Sequence, residues 1–310
     1  MKKKKILTIG SVFLILILTI TGCAKEVDNK SQEDGKIEVY ASIYPLYDFV
    51  TKIGGERVNV NLIVPPGAEP HDWEPTAKLL VRMKESDIII YNGGGMESWI
   101  ERVKGAIDDE QIHFINSSKG IDLLMDSGEH HEGDNHGKYD PHIWLDPINA
   151  IKQGENIKNA LIKIDGTNKS YYDENYQKFV TDMKELDSQY REAISNSPRK
   201  ELVVSHAAFG YLANRYELVQ IPIKGITPQE EPTPSKMAEI SDMIKEKGIK
   251  YIFLESLSND RISKVLAEDT GVEVMTLDTL GGLSPEQMES SDYISVMEQN
   301  LEKIIKALGE

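Results

Sequence analysis

Short runs of β-branched and aliphatic residues alternate along the chain with longer segments whose apolar positions recur every three or four residues. Residues 37–42, 58–64, 87–92 and 112–116 read as strands, and residues 44–53, 76–84 and 96–107 between them read as helices. The scheme repeats further on, with strands at 201–205, 219–223, 250–255 and 272–276 and helices at 209–216, 235–247, 260–270 and 292–307. Strands separated by helices predict parallel α/β units with right-handed crossovers. The repetition is one of architecture, not of residues.

Between the halves, Tyr172, Tyr176, Phe179, Met183, Leu186, Tyr190 and Ile194 are spaced by three or four. That spacing lays one apolar stripe along a helix over 170–195, ~39 Å long, which Pro198 ends. Such a length suits a brace between two lobes as well as the core of one.

The first segment has a different pattern. Lys2 to Lys5 precede an apolar run over residues 6–20, shorter than the ~30 Å hydrocarbon core requires, so it reads as a secretory signal. The run ends at Ile20-Thr21-Gly22-Cys23, small residues before the only cysteine, as in a bacterial lipobox. The expectation is a signal peptide over 1–22, lipidation of Cys23, and a polar tether over 23–36 that buries too little to fold. That organisation leaves an N-terminal lobe at 37–165, a linking helix at 166–198 and a C-terminal lobe at 199–310. The protein would be exported and lipid-anchored on the outer face of the bacterial cytoplasmic membrane.

Composition narrows the chemistry. Lys plus Arg is 35 against 51 Asp plus Glu, a net charge of −16, which argues against a nucleic-acid partner. One cysteine excludes an internal disulfide and a Cys-based zinc site, so metal chemistry must use His and carboxylates.

Of the seven histidines, His113 lies inside a predicted strand and reads as structural. His130, His131 and His136 fall in the polar stretch 128–138, which reads as an auxiliary metal loop or as a charged surface insertion. His71, His142 and His206 each follow or sit in a turn where a strand should have ended. In open parallel sheets ligands bind beyond the carboxyl ends of the strands, where these loops would place them. Any one of the three alone reads as a structural histidine. Together, in comparable loops, they read as a ligand set.

The motifs Pro70-His71-Asp72-Trp73-Glu74-Pro75, Asp140-Pro141-His142-Ile143-Trp144-Leu145-Asp146-Pro147 and Ser205-His206-Ala207-Ala208-Phe209-Gly210-Tyr211, with Gln229-Glu230-Glu231-Pro232-Thr233-Pro234, resemble the zinc and manganese solute-binding lipoproteins of ABC importers, cluster A-I. The resemblance runs in order through residues 37–310. It implies two parallel-sheet α/β lobes joined by one long rigid helix, a metal in the cleft between them, and delivery by a monomer to a membrane permease. It also implies His71, His142 and His206 as ligands, with a carboxylate after the last strand completing the site, the place of Asp278. Glu69 competes for that role, and Asp278 reads equally well as a turn carboxylate.

Three neutral imidazoles suit Zn²⁺, whereas Mn²⁺ prefers more oxygen, and the manganese members resembling this chain carry Glu where His206 stands. Asp146 and Glu255 are candidates to orient the imidazoles; a turn cap and a buried network are their other readings. A zinc hydrolase is the rival of another class, but the sequence has no His-Glu-x-x-His helix and no nucleophile elbow, so no catalytic role is expected. Adhesion to host matrix is a further role proposed for such lipoproteins, on which the residues are silent.

Overall fold

The computed structural model describes residues 35–125, 138–256 and 261–309, and Lys36–Glu310 forms one compact unit. The proposed signal segment, Cys23 and His130, His131 and His136 lie outside the described residues. Among the described residues no helix is long and apolar enough to cross a membrane.

Two four-stranded sheets, all parallel, share one topology. The first contains β1 (Ile37–Ala41), β2 (Val58–Leu62), β3 (Ile88–Tyr91) and β4 (His113–Asn116), in the order β2-β1-β3-β4. The second contains β5 (Glu201–Val204), β6 (Val219–Pro222), β7 (Tyr251–Leu254) and β8 (Glu273–Thr276), in the order β6-β5-β7-β8. Connections leave in opposite directions between β1 and β3 and between β5 and β7, which opens a crevice beyond their carboxyl ends.

The helices are α1 (Tyr44–Gly54), α2 (Ala77–Met83), α3 (Ile100–Ile107), α4 (Pro147–Ile164), α5 (Lys169–Ser195), α6 (Gly210–Tyr216), α7 (Pro234–Lys247), α8 (Arg261–Thr270), α9 (Pro285–Ser290) and α10 (Tyr293–Gly309). All eight strands fall where the hydrophobic pattern puts them, but several stop a residue or two early. Ser42, Asn92, Ser205 and Glu255, just past the ladders, turn out as buried polar groups. His113 opens β4 opposite Ile88, in a structural position.

Two helices escape the sequence pattern. In α4 the buried positions Pro147, Ala150, Gln153, Gly154, Ile157, Ala160 and Leu161 keep helical spacing, but Gly, Ala and Gln occupy much of the stripe, so its hydrophobic signal is weak. Gly154 is demanded by packing, because a Cβ there would meet the Phe179 ring at 2.6 Å. The short α9 is set by its capping box, Ser284 with Gln287.

Every residue of the α5 stripe is buried. Near its start Phe179 meets Phe49 of α1 edge-on at 5.0 Å; near its end Tyr190 stacks on Tyr216 of α6 and donates to the Met297 carbonyl of α10. One hydrophobic cluster therefore runs through α1, α4, α5, α10 and the facing sides of both sheets. Two smaller clusters lie under α2 and α3 and under α7 and α8. The stripe belongs to both lobes.

Candidate metal site

His71 is carried by the loop after β2. Ile63 N–H to Ala41 O (2.8 Å) and Val64 N–H to Ser42 O (3.0 Å) prolong the ladder before Pro65 and Pro66, which cannot donate, take the chain away. Gly67 N–H then donates to Leu283 O (2.8 Å), tying this loop to the one after β8. Gly281 lies against Pro70 and Trp144, where a Cβ would approach Pro70 Cγ to 3.1 Å.

His142 sits at the centre of a tight turn. Ile143 N–H donates to Pro141 O (2.8 Å), and His142 has φ −80° and ψ 44°, near inverse γ-turn geometry. Asp140 Oδ1 accepts both the His142 backbone N–H (2.9 Å) and its ring Nδ1–H (2.8 Å). Holding the proton on Nδ1 leaves the Nε2 lone pair for a metal. Burial, then the neighbouring His206, pushes the His142 pKa well below its usual value, so the imidazole is neutral.

His206 follows β5 directly. Its Nδ1 and the Ser205 hydroxyl (2.9 Å) both donate to Glu255 Oε1, at the end of β7. Burial works to raise the Glu255 pKa, but His206 and the Ser205 hydroxyl outweigh it and hold the carboxyl below the ordinary range.

The three rings converge. His142 Nε2 is 3.1 Å from His71 Nε2 and 3.3 Å from His206 Nε2, and the three ligand nitrogens all lie within 4.8 Å of one another. Tetrahedral Zn²⁺ with Zn–N of ~2.0–2.1 Å requires N···N separations of ~3.3–3.4 Å, which the two separations to His142 match within a few tenths of an ångström, while His71 and His206 lie within 4.8 Å of each other. His142 and His206 are buried, with His71 on the more open side. Glu69, Pro70, Met96, Trp144, Glu255, Thr279 and Gly281 complete the lining of a narrow cleft. It is far tighter than the ~300 Å³ at which small-molecule pockets begin.

Not every candidate arrives. Asp278 is not grouped with the imidazoles. Its Oδ1 accepts Leu280 N–H (2.8 Å), while its Oδ2 accepts Ser256 Oγ–H (2.7 Å) and Gln287 Nε2–H (2.9 Å), so it organises the loop after β8. Glu69 does line the cleft, and burial, reinforced by Glu255, pushes its pKa up to about 7. Asp146 is not placed against the His142 ring. It caps α4 through Ile148 N–H (2.8 Å) and pairs with Arg215 Nε (2.7 Å) and Nη2 (2.6 Å). The partner of His142 is Asp140, which the sequence reading passed over; its signal was an Asp two residues before the turn residue, the Asx pattern.

Two parallel α/β lobes around a shared core, with a three-imidazole cleft at their carboxyl ends, define a solute-binding protein for a divalent cation. Residues 39–307 match the family ZnuA, "Zinc-uptake complex component A periplasmic". The chain belongs to that family. It is 34% identical over 301 residues to the high-affinity zinc uptake system protein ZnuA of Bacillus subtilis (strain 168), covering 94% of each chain. Among solved structures it is similar to the Zn(II)-bound ZnuA-like domain of Streptococcus pneumoniae AdcA, with TM-score 0.77 and 31% identity over 89% of this chain and 100% of that one. It is also similar to the laminin-binding protein Lmb of Streptococcus agalactiae, described as bifunctional with adhesin and metal transporting activity, with TM-score 0.79 and 29% identity over 88% and 99% of the two chains. The family is one of solute-binding transport proteins.

Proposed function

We propose that this chain captures Zn²⁺ outside the cytoplasmic membrane through His71, His142 and His206 and delivers it, as a monomer lipid-anchored at Cys23, to an ABC permease. One observation carries the assignment: three converging imidazoles whose ligand nitrogens all lie within 4.8 Å of one another, two of the rings oriented by Asp140 and Glu255. Glu69 is the better candidate for the fourth position, since it lines the cleft and Asp278 is held elsewhere.

Capture replaces water by neutral imidazoles, and the approaching dication favours ionised Glu69 and Asp140, both pushed up to about 7 chiefly by burial. Exchange of the ion works by displacement of loops rather than by a wide hinge. The lobes share one core, and Trp144 Nε1–H to Thr279 O (2.7 Å), Tyr293 Oη–H to Trp144 O (2.5 Å) and the Arg215–Asp146 pair stitch them together.

Metal analysis and calorimetry on wild type and His206→Ala test the reading. One tightly bound zinc per chain, severely weakened in the variant, is the expected result; an unchanged affinity would count against the site. Competition with Mn²⁺ decides the manganese alternative, which three nitrogen ligands disfavour. A second reading, adhesion to host matrix, rests on the likeness to Lmb and is tested by laminin binding with and without chelator.

A further inference from the structure

Behind the His142 turn lies a buried polar network. Asn92, fully buried just past β3, donates its Nδ2–H to Pro141 O (2.8 Å) and to Gly93 O (3.0 Å). Pro141 O is also the acceptor that closes the tight turn presenting His142. The Asn92 amide thus grips the peptide that sets where the His142 ring points.

Asn92 is itself held from both ends. Its Oδ1 accepts Gln153 Nε2–H from α4 (2.9 Å), and the same nitrogen reaches Ser117 Oγ (3.0 Å) beyond β4. Gln153 is fully buried, and its own Oε1 accepts no bond from the described residues. An unsatisfied buried oxygen is tolerated in native structures when the residue has another task. On the other side, buried Glu97 accepts Asn92 N–H (2.7 Å), Gly93 N–H (3.0 Å) and Ser42 Oγ–H (2.5 Å). These bonds fix a turn whose Gly93 has φ +82°; a Cβ there would come within 2.3 Å of Asn116 Oδ1. Gly94, next in the turn, lies against Pro141 Cα.

We propose that Asn92, locked by Gln153 and Glu97, is a positioning residue for metal capture: it holds the Pro141 carbonyl, and through it the His142 imidazole, at the spacing the ion requires. This inference rests on the zinc-site reading above. Partners one layer behind metal ligands typically change affinity by about 10–100-fold when removed, and the same range is expected for Asn92→Ala.

The experiment uses the full chain. Zinc affinity is measured by chelator competition, the visible spectrum of the Co²⁺ form reports ligand geometry, and the thermal midpoint of the metal-free protein reports folding. Asn92→Ala should weaken zinc by about tenfold or more and alter the Co²⁺ bands. Gln153→Met keeps the volume but frees the Asn92 amide, and should weaken zinc by about threefold or more should Asn92→Ala fail to fold. Asn156→Ala is the control: Asn156, also on α4, bonds Ser117 O (2.8 Å) and Lys119 O (2.9 Å), away from His142. It should lower the midpoint while leaving zinc affinity and the Co²⁺ spectrum unchanged. Affinity within twofold of wild type and unchanged Co²⁺ bands in folded Asn92→Ala, or in Gln153→Met, would overturn the positioning role while the zinc reading stands. A wild-type chain that binds no zinc would overturn both.

Discussion

Replacing Glu255 by Gln removes one negative charge and almost nothing else. In the native site Glu255 is 8% exposed, and its Oε1 accepts from His206 Nδ1 and from Ser205 Oγ at 2.9 Å. A glutamine oxygen can accept both bonds, so the shape survives while the charge assistance is lost. Charged hydrogen bonds are worth ~1.5–3 kcal/mol against ~0.5–1.5 for neutral ones, a difference of about 1 to 1.5 kcal/mol. The direct Coulomb term sets the ceiling: a dication ~6 Å away across the ring attracts a carboxylate by about 5 kcal/mol at an effective dielectric of 20. The working figure between these is a 10–100-fold loss of zinc affinity, about 1.4–2.7 kcal/mol. Chelator competition at pH 7.5 measures it, with the thermal midpoint of the metal-free protein as a folding control. Ser205→Ala, which removes a hydroxyl and no charge, should cost less than about threefold by the same reasoning. A folded Glu255→Gln protein with wild-type affinity would refute the idea that this carboxylate strengthens His206 as a ligand.

Other outcomes follow from the same geometry. Arg215→Met leaves Asp146, 4% exposed, with only the Ile148 N–H. Breaking a buried pair costs ~3–5 kcal/mol, reduced to about 2–3 because Arg215 is partly exposed, so the thermal midpoint should fall by roughly 3–6 °C; no shift would show the pair to be inert. Glu69 and Asp140 have folded pKa values of about 7, above their unfolded values of 4.5 and 3.8. The folded state therefore holds extra protons on these two groups between pH ~4 and 7, and their contribution to metal-free stability is full below that window and lost as pH rises through 7. Zinc binding at pH 7 should correspondingly release protons, seen as a buffer-dependent calorimetric enthalpy; buffer-independent heats would contradict that. Deleting residues 128–138 should leave main-site affinity nearly unchanged and reduce uptake only when zinc is scarce, whereas a large affinity loss would reject an auxiliary role for His130, His131 and His136.

Periodicity made most of the fold legible. The α5 stripe from Tyr172 to Ile194 is buried residue for residue, because one apolar stripe on a long helix has few other ways to be satisfied. In α4, Gly154 packs where a larger residue would clash and Ala150 is buried, and close packing by small residues leaves no hydrophobic signature. The three histidines were legible because each follows a strand or ends a proline-bounded loop. Their supporting carboxylates were legible only in part. Glu255 ends a strand adjacent to β5, so topology alone brings it to His206. Asp146, four residues from His142, looks close in sequence, but capping turns it toward α4 and Arg215 claims it from 69 residues away. Asp278 and Glu69 could not be separated without the loop that Asp278 braces. The Asn92 bond to Pro141 spans 49 residues, and no local pattern announces it.

The central claim is that three imidazoles, and not some other donor set, hold the ion. X-ray absorption at the zinc edge, on the purified chain loaded with one equivalent, reads this directly. Three imidazole nitrogens at ~2.0–2.1 Å, with one further oxygen donor and the loss of one imidazole in each of His71→Ala, His142→Ala and His206→Ala, is the expected result. A shell dominated by oxygen, or a spectrum indifferent to those three substitutions, would contradict it.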